Sequence, residues 1–147
     1  SGTFLTIGVG YTLPFLVFAA EWVDAEAFKA ELDSYQIPGV AWRTIHYKPF
    51  FGAAQGKLLH GVQYFFTDYE AATLTLINFY VMQAAHKLYP DHNPFDGGVN
   101  RTNDIVCGSD WIRKTFSQNF LVSDIYDYWM KDVDAFKDLS KKYYLYK

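Results

Sequence analysis

The sequence predicts a single α+β domain, a small mixed β-sheet packed against about four helices. Three observations lead there. Two stretches alternate with the period of a strand, several segments space apolar residues as a helix does behind a capping residue, and the two kinds of segment do not alternate strictly. The chain has 147 residues, half of them hydrophobic, which suits one core and leaves no room for a second domain. A chain of this size buries roughly 70% of the surface its unfolded form exposes, so folding requires neither disulfides nor a structural metal.

Residues 4–7 (Phe-Leu-Thr-Ile) have strand character, and Gly8-Val9-Gly10 reads as a tight loop with backbone angles suited to glycine. Asp24 is placed to cap a helix on which Ala25, Phe28, Leu32 and Tyr35 recur at helical spacing. Pro38-Gly39 stops that helix. In residues 40–47, Val40, Trp42 and Thr44 alternate with Ala41, Arg43 and Ile45, the period of a strand. A loop through Pro49, Gly52 and Gly56 leads to a second strand over residues 58–67. Val62, Tyr64 and Phe66 face one side of it, and Gln63, Phe65 and Thr67 the other.

Asp68 is placed to cap the next helix, residues 69–89, which Pro90 ends; apolar residues around most of its circumference predict burial on nearly all sides. Residues 91–103 hold Pro94, Gly97, Gly98 and three Asn, and read as a loop. Ser109 caps a short helix through Ile112 and Phe116. Ser123 caps a longer one with a core stripe of Ile125, Trp129, Val133 and Phe136, its solvated face pairing Asp127 with Lys131. Residues 143–146 read as a short final strand.

Composition narrows the function. A net charge of −3 with no Lys/Arg stripe argues against nucleic acid as a partner. No apolar run approaches the ~20 residues that span a bilayer. A lone cysteine, Cys107, excludes an internal disulfide and any multi-cysteine zinc site. The 13 Phe, 12 Tyr and 4 Trp exceed what a core of this size requires, so some are expected to line a groove or meet a partner. No basic segment followed by an apolar run marks the N-terminus as a targeting signal. The chain passes from Ser1-Gly2-Thr3 straight into its first expected strand. It therefore reads as a piece of a longer protein, whose remainder is expected to hold the chemistry.

Residues able to do chemistry are few. Glycosidic cleavage needs two acids across a cleft, one with a raised pKa. Only Glu21, between Ala20 and Trp22, sits in apolar company, and it reads first as an exposed acid before a helix, so no catalytic residue is assigned. His86, Asp91, His92 and Asp96 match no tetrahedral zinc spacing, and no metal or cofactor is expected. Cys107 reads as a small buried hydrophobe rather than a nucleophile. Asn100-Arg101-Thr102 fits a glycosylation acceptor that has meaning only in a eukaryotic secretory setting. Gly8-Val9-Gly10 lacks the third glycine, the Lys and the helix opening of a phosphate loop, and reads as a structural turn or one wall of a binding cleft. Contact with a ligand is assigned to Tyr11, Thr12, His46, Gln63 and Tyr64. Gln63 is singled out as an amide in mid-strand beside Gly61: once buried it needs a partner, either backbone or a sugar hydroxyl.

Taken in order, these fragments resemble one family. Gly2-Thr3 followed by Gly8-Val9-Gly10-Tyr11-Thr12-Leu13-Pro14-Phe15 is similar to its Gly-Thr and Gly-Arg-Gly-Thr-Thr-x-Pro-Phe opening. Trp22-Val23, Pro38-Gly39-Val40, Tyr47-Lys48-Pro49-Phe50, Gly61-Val62-Gln63, Thr67-Asp68, Tyr89-Pro90 and Tyr144-Leu145-Tyr146 match further motifs in sequence. The family is the bacterial exo-β-N-acetylmuramidases (NamZ), and the resemblance covers their C-terminal domain alone. It implies a periplasmic or secreted protein that removes terminal N-acetylmuramic acid from peptidoglycan fragments. The catalytic residues would lie in a Rossmann-like N-terminal domain outside these residues, and residues 1–147 would form an accessory wall of the substrate cleft. Several positions depart from the pattern: Val9 stands where the family has Arg, Tyr11 where it has Thr, Leu16 where an acid is common, and Ala19-Ala20-Glu21 replaces Gly-Ala-Pro. An Arg could pair bidentately with the lactyl carboxylate of muramic acid, and Val cannot. The alternatives are a non-catalytic carbohydrate- or protein-binding module of an inactive relative, and a small independent hydrolase using Glu21.

Overall fold

Strand β3 (Leu59–Phe66) is the centre of a three-stranded sheet of order β1-β3-β2, with β1 (Val17–Ala20) and β2 (Val40–Tyr47) on its two sides. The structure, a computed structural model, describes residues 4–95 and 99–146. The domain is α+β as expected, and the sheet is antiparallel throughout rather than mixed. A parallel pair needs a long crossover, whereas a loop joins β2 directly to β3.

Register separates the two faces. Trp42 lies opposite Tyr64, Thr44 opposite Val62, and Phe18 opposite Val62 from the other side. This face packs on α1 (Ala25–Ser34) and α2 (Ile77–Leu88) through Phe28, Leu32, Val81 and Ala85. On the reverse face Val17, Ala19, Tyr47 and Leu59 form a smaller core beneath Tyr11 and Leu13. Asp24 caps α1 as the sequence indicated, its carboxylate accepting from the backbone N–H groups of Glu26 and Ala27.

Helices α3 (Asn100–Cys107), α4 (Asp110–Asn119) and α5 (Ser123–Met130) build a second core around Phe116. Helix α2 divides the two cores. Its Val81, Ala84 and Ala85 enter the first, while Phe79 and Met82 enter the second, which is why its sequence is apolar nearly all round. Helix α6 (Val133–Ser140) buries none of its residues. No helix among the described residues is long and apolar enough to cross a membrane.

Several expectations are corrected. Residues 4–7 form only one bridge, Thr6 to Ala19, and β1 is the strand that the sequence hid. Asp68 caps a single turn, accepting from Glu70 and Ala71. Thr73 then leaves helical angles, and α2 begins only after a 3-10 turn, Leu74–Leu76. Part of the segment read as a loop, from Asn100, is helix α3, ended by Gly108 in the left-handed conformation. Ser123 opens α5 without capping it, and Asp132 takes non-helical angles that break the long C-terminal helix in two. The stripe is lost there: Ile125 is buried, but Phe136 is 67% exposed. Lys131 finds Asp132, at 3.9 Å, as its ion-pair partner. Tyr143 ends a 3-10 turn, and the last residues join no strand. Gly2, Thr3, Asp96, Gly97 and Gly98 lie outside the described residues.

Candidate functional site: an aromatic groove beside the sheet edge

The loop over residues 8–16 leads into β1, whose outer edge Thr6 bridges at Ala19. Gly8 and Gly10 have φ of +81° and +87°, and a Cβ on them would lie 2.3 Å from the Leu13 carbonyl oxygen and 2.1 Å from that of Phe51. Only glycine combines that backbone with that approach. The Gly10 carbonyl accepts from the Phe50 N–H at 2.8 Å, docking the loop on its neighbour. At the loop's far end Phe15 has φ +64°, an unusual conformation for a bulky residue. Its N–H donates to the Ile7 carbonyl and the Tyr64 hydroxyl donates to its carbonyl. The ring is left 64% exposed.

Phe15 stands at one side of a groove of about 390 Å³ between the sheet and the helices. Phe18, Tyr64 and Phe66 form the sheet wall, Asn78 and Phe79 of α2 the floor, and Asn103, Val106 and Cys107 of α3 the facing wall. Trp129 closes one end, its indole N–H donating to Thr75 Oγ1 at 2.8 Å. Asn103 is 2% exposed, and its Oδ1 accepts from the weak thiol donor of Cys107, at 3.7 Å. Burial pushes the Tyr64 phenol up, so it is a hydrogen-bond donor at neutral pH. Burial, helped by the nearby Asp104 carboxylate, also pushes the Cys107 thiol up, which leaves it protonated and a poor nucleophile.

Among the described residues the groove lining contains no Asp, Glu, Lys, Arg or His. Such a surface can stack on and hydrogen-bond a ligand with apolar faces and polar edges. Glu21 lies elsewhere, half exposed and bound to Lys57 at 2.6 Å.

The five residues assigned to ligand contact fall in different places. Tyr64 lines the groove. Gln63, its neighbour in β3, points to the opposite face, as alternation in a strand requires. It is 5% exposed, and its Oε1 accepts from Arg43 Nε at 2.8 Å. A protein side chain is therefore the partner that its burial demanded. Tyr11 is also on that reverse face, stacked on Tyr47 with centroids 4.4 Å apart, and Thr12 is exposed beside it. His46 sits at the far end of β2 against His60. The fold thus brings Tyr11 and Thr12 together and separates them from Tyr64.

Of the residues weighed for metal, His86 stacks on Phe120 and His92 on Trp22, so the rings belong to different packing surfaces. The sequence reading did not assign Asn78, Asn103 or Trp129 to ligand contact. Asn103 carried no signal because its segment reads as a loop. Trp129 was assigned wholly to a core stripe.

The fold and groove together define an α+β domain with an aromatic groove beside its sheet. Residues 1–146 match the family described as Exo-beta-N-acetylmuramidase NamZ, C-terminal, and the chain belongs to it. It is 30% identical over 145 residues to the peptidoglycan beta-N-acetylmuramidase NamZ of Bacillus subtilis (strain 168), across 99% of this chain and 34% of that protein. A crystal structure of a DUF1343 family protein from Bacteroides fragilis NCTC 9343 is 47% identical. It superposes with a TM-score of 0.92 over 98% of this chain and 38% of its own. The chain spans about a third of the length of these relatives.

Proposed function

We propose that this domain is the accessory, substrate-holding part of a bacterial, periplasmic or secreted peptidoglycan exo-muramidase. In this reading it forms one wall of a cleft whose other wall is an N-terminal catalytic domain of the same protein. The observation that carries the reading is a groove whose described residues supply aromatic and amide walls and no acid. Sugar rings present apolar faces to aromatics and hydroxyls to amides. Phe15 offers an open ring, while Asn78 and Asn103 offer donors and acceptors from the groove's depth. The family match supports a muramic acid terminus as the ligand.

The test is calorimetric titration of this domain with a disaccharide ending in N-acetylmuramic acid. Phe15→Ala is expected to weaken binding about tenfold, the equivalent of about 1.4 kcal/mol lost with one stacked aromatic. Tyr11→Ala is expected to leave it unchanged. The reverse ranking would move the sugar to the Tyr11–Tyr47 side of the sheet.

A non-catalytic module from an inactive relative is the second reading. It is favoured by Val9, which is 48% exposed where the family pattern has an Arg able to grip a carboxylate. Turnover of a chromogenic N-acetylmuramide by the full-length protein separates the two: hydrolysis supports the first reading, and binding without hydrolysis the second.

A further inference from the structure

We propose that His46 and His60 form an exchangeable binding site for a late first-row divalent metal ion, such as Ni²⁺, Zn²⁺ or Cu²⁺. The two residues are cross-strand partners near the end of the β2–β3 ladder. Their Nδ1 atoms are 2.7 Å apart, with ring centroids at 4.9 Å. Without a metal, one Nδ1 carries a proton and donates a hydrogen bond to the lone pair of the other.

Metal coordination needs little rearrangement of that geometry. Two imidazoles at bond lengths of about 2.0–2.1 Å place their nitrogens about 2.9 Å apart in a right-angled arrangement and about 3.4 Å apart in a tetrahedral one. The rings must open by less than about 1 Å and each must turn so that its Nδ1 lone pair leaves the N–N line and aims at the ion, with both protons moved to Nε2.

The backbone already fixes the pair. The next residues along the ladder, Tyr47 and Leu59, are opposite one another and both buried on the reverse face, which prevents the register from slipping. On the other side of His60 the same face carries Ala20, whose methyl is too short to cover the imidazoles. His46 is exposed, so an ion can enter from solvent.

Imidazole is the donor suited to these ions. Among the described residues no cluster of three or more His, Cys, Asp or Glu could hold a metal. Two protein donors leave the remaining positions to water, and the ion exchanges rather than serving as a structural lock. No local pattern pairs these two residues, because they are fourteen positions apart and meet only through strand pairing.

Calorimetric titration of the 147-residue chain with NiCl₂ tests the proposal. One ion is expected per chain, and His46→Gln and His60→Gln are each expected to lower affinity at least about tenfold. His92→Gln, which removes a histidine stacked on Trp22, is expected to leave it unchanged. Circular dichroism confirms that each variant is folded, and the electron paramagnetic resonance of bound Cu²⁺ counts nitrogen ligands independently. Two nitrogens are expected. An absence of binding, an affinity insensitive to His46→Gln, or a single coordinated nitrogen would overturn the proposal.

Discussion

Gly61→Val is expected to cost at least about 3 kcal/mol, at the top of the range for overpacking a core. Gly61 lies in the central strand opposite Ala19 of β1. A Cβ there would be 2.0 Å from the Phe18 carbonyl oxygen and 2.7 Å from Ala19 Cα. Those atoms are backbone of a paired strand, so no side-chain rotation relieves the clash. Strand β1 would have to peel from β3, breaking its four-residue register and releasing Phe18 from the main core. Domains of this kind are stable by about 5–15 kcal/mol, so the loss is large. Urea unfolding followed by circular dichroism measures it. Because β1 anchors the loop that presents Phe15, sugar binding should fall as well. A variant with the parent midpoint would show that the strands do not approach this closely.

Phe116→Ala is expected to cost about 3–5 kcal/mol, the usual range for removing a buried phenylalanine. Phe116 is fully buried and meets Phe79, Phe120 and Phe95 edge to face, at 5.2, 5.4 and 6.4 Å. Such pairs add to the burial itself. The ring joins α4 to α2, and α2 is the element shared with the sheet. The loss should therefore appear as a lower urea midpoint for the whole chain, with amides of α4 and α5 exchanging fastest. A cost under about 1 kcal/mol would mean that the helical half contributes little to the fold.

Much of this architecture was readable from residue patterns. Helix α1, strands β2 and β3, and the stops at Pro38 and Pro90 follow from capping, alternation and missing donors, all of which act locally. Strand β1 was hidden because all four of its residues are buried, so no alternation marks it. The C-terminal stripe failed for the opposite reason. Its spacing is helical, but Asp132 changes the axis, and Phe136 then faces solvent instead of the core. Residues 4–7 and 143–146 have strand-forming side chains, but strand propensity is expressed only where an edge is available.

The groove was harder to read. Tyr64 was found because its strand was, while its pairing with Gln63 ignored the alternation that sends the two to opposite faces. Phe15 and Asn103 come together from segments about ninety positions apart, and nothing local records that. Glu21, the one acid that the sequence placed in apolar company, is bound to Lys57 outside the groove.

The most direct measurement compares binding with turnover in the 147-residue domain. The domain is incubated with a chromogenic N-acetylmuramide and with a muramic-acid-terminated disaccharide, alone and as part of the full-length protein. The proposed division of labour predicts that the isolated domain binds the disaccharide and releases no chromophore, while the full-length protein releases it. Hydrolysis by the isolated domain, abolished in Glu21→Gln, would contradict it.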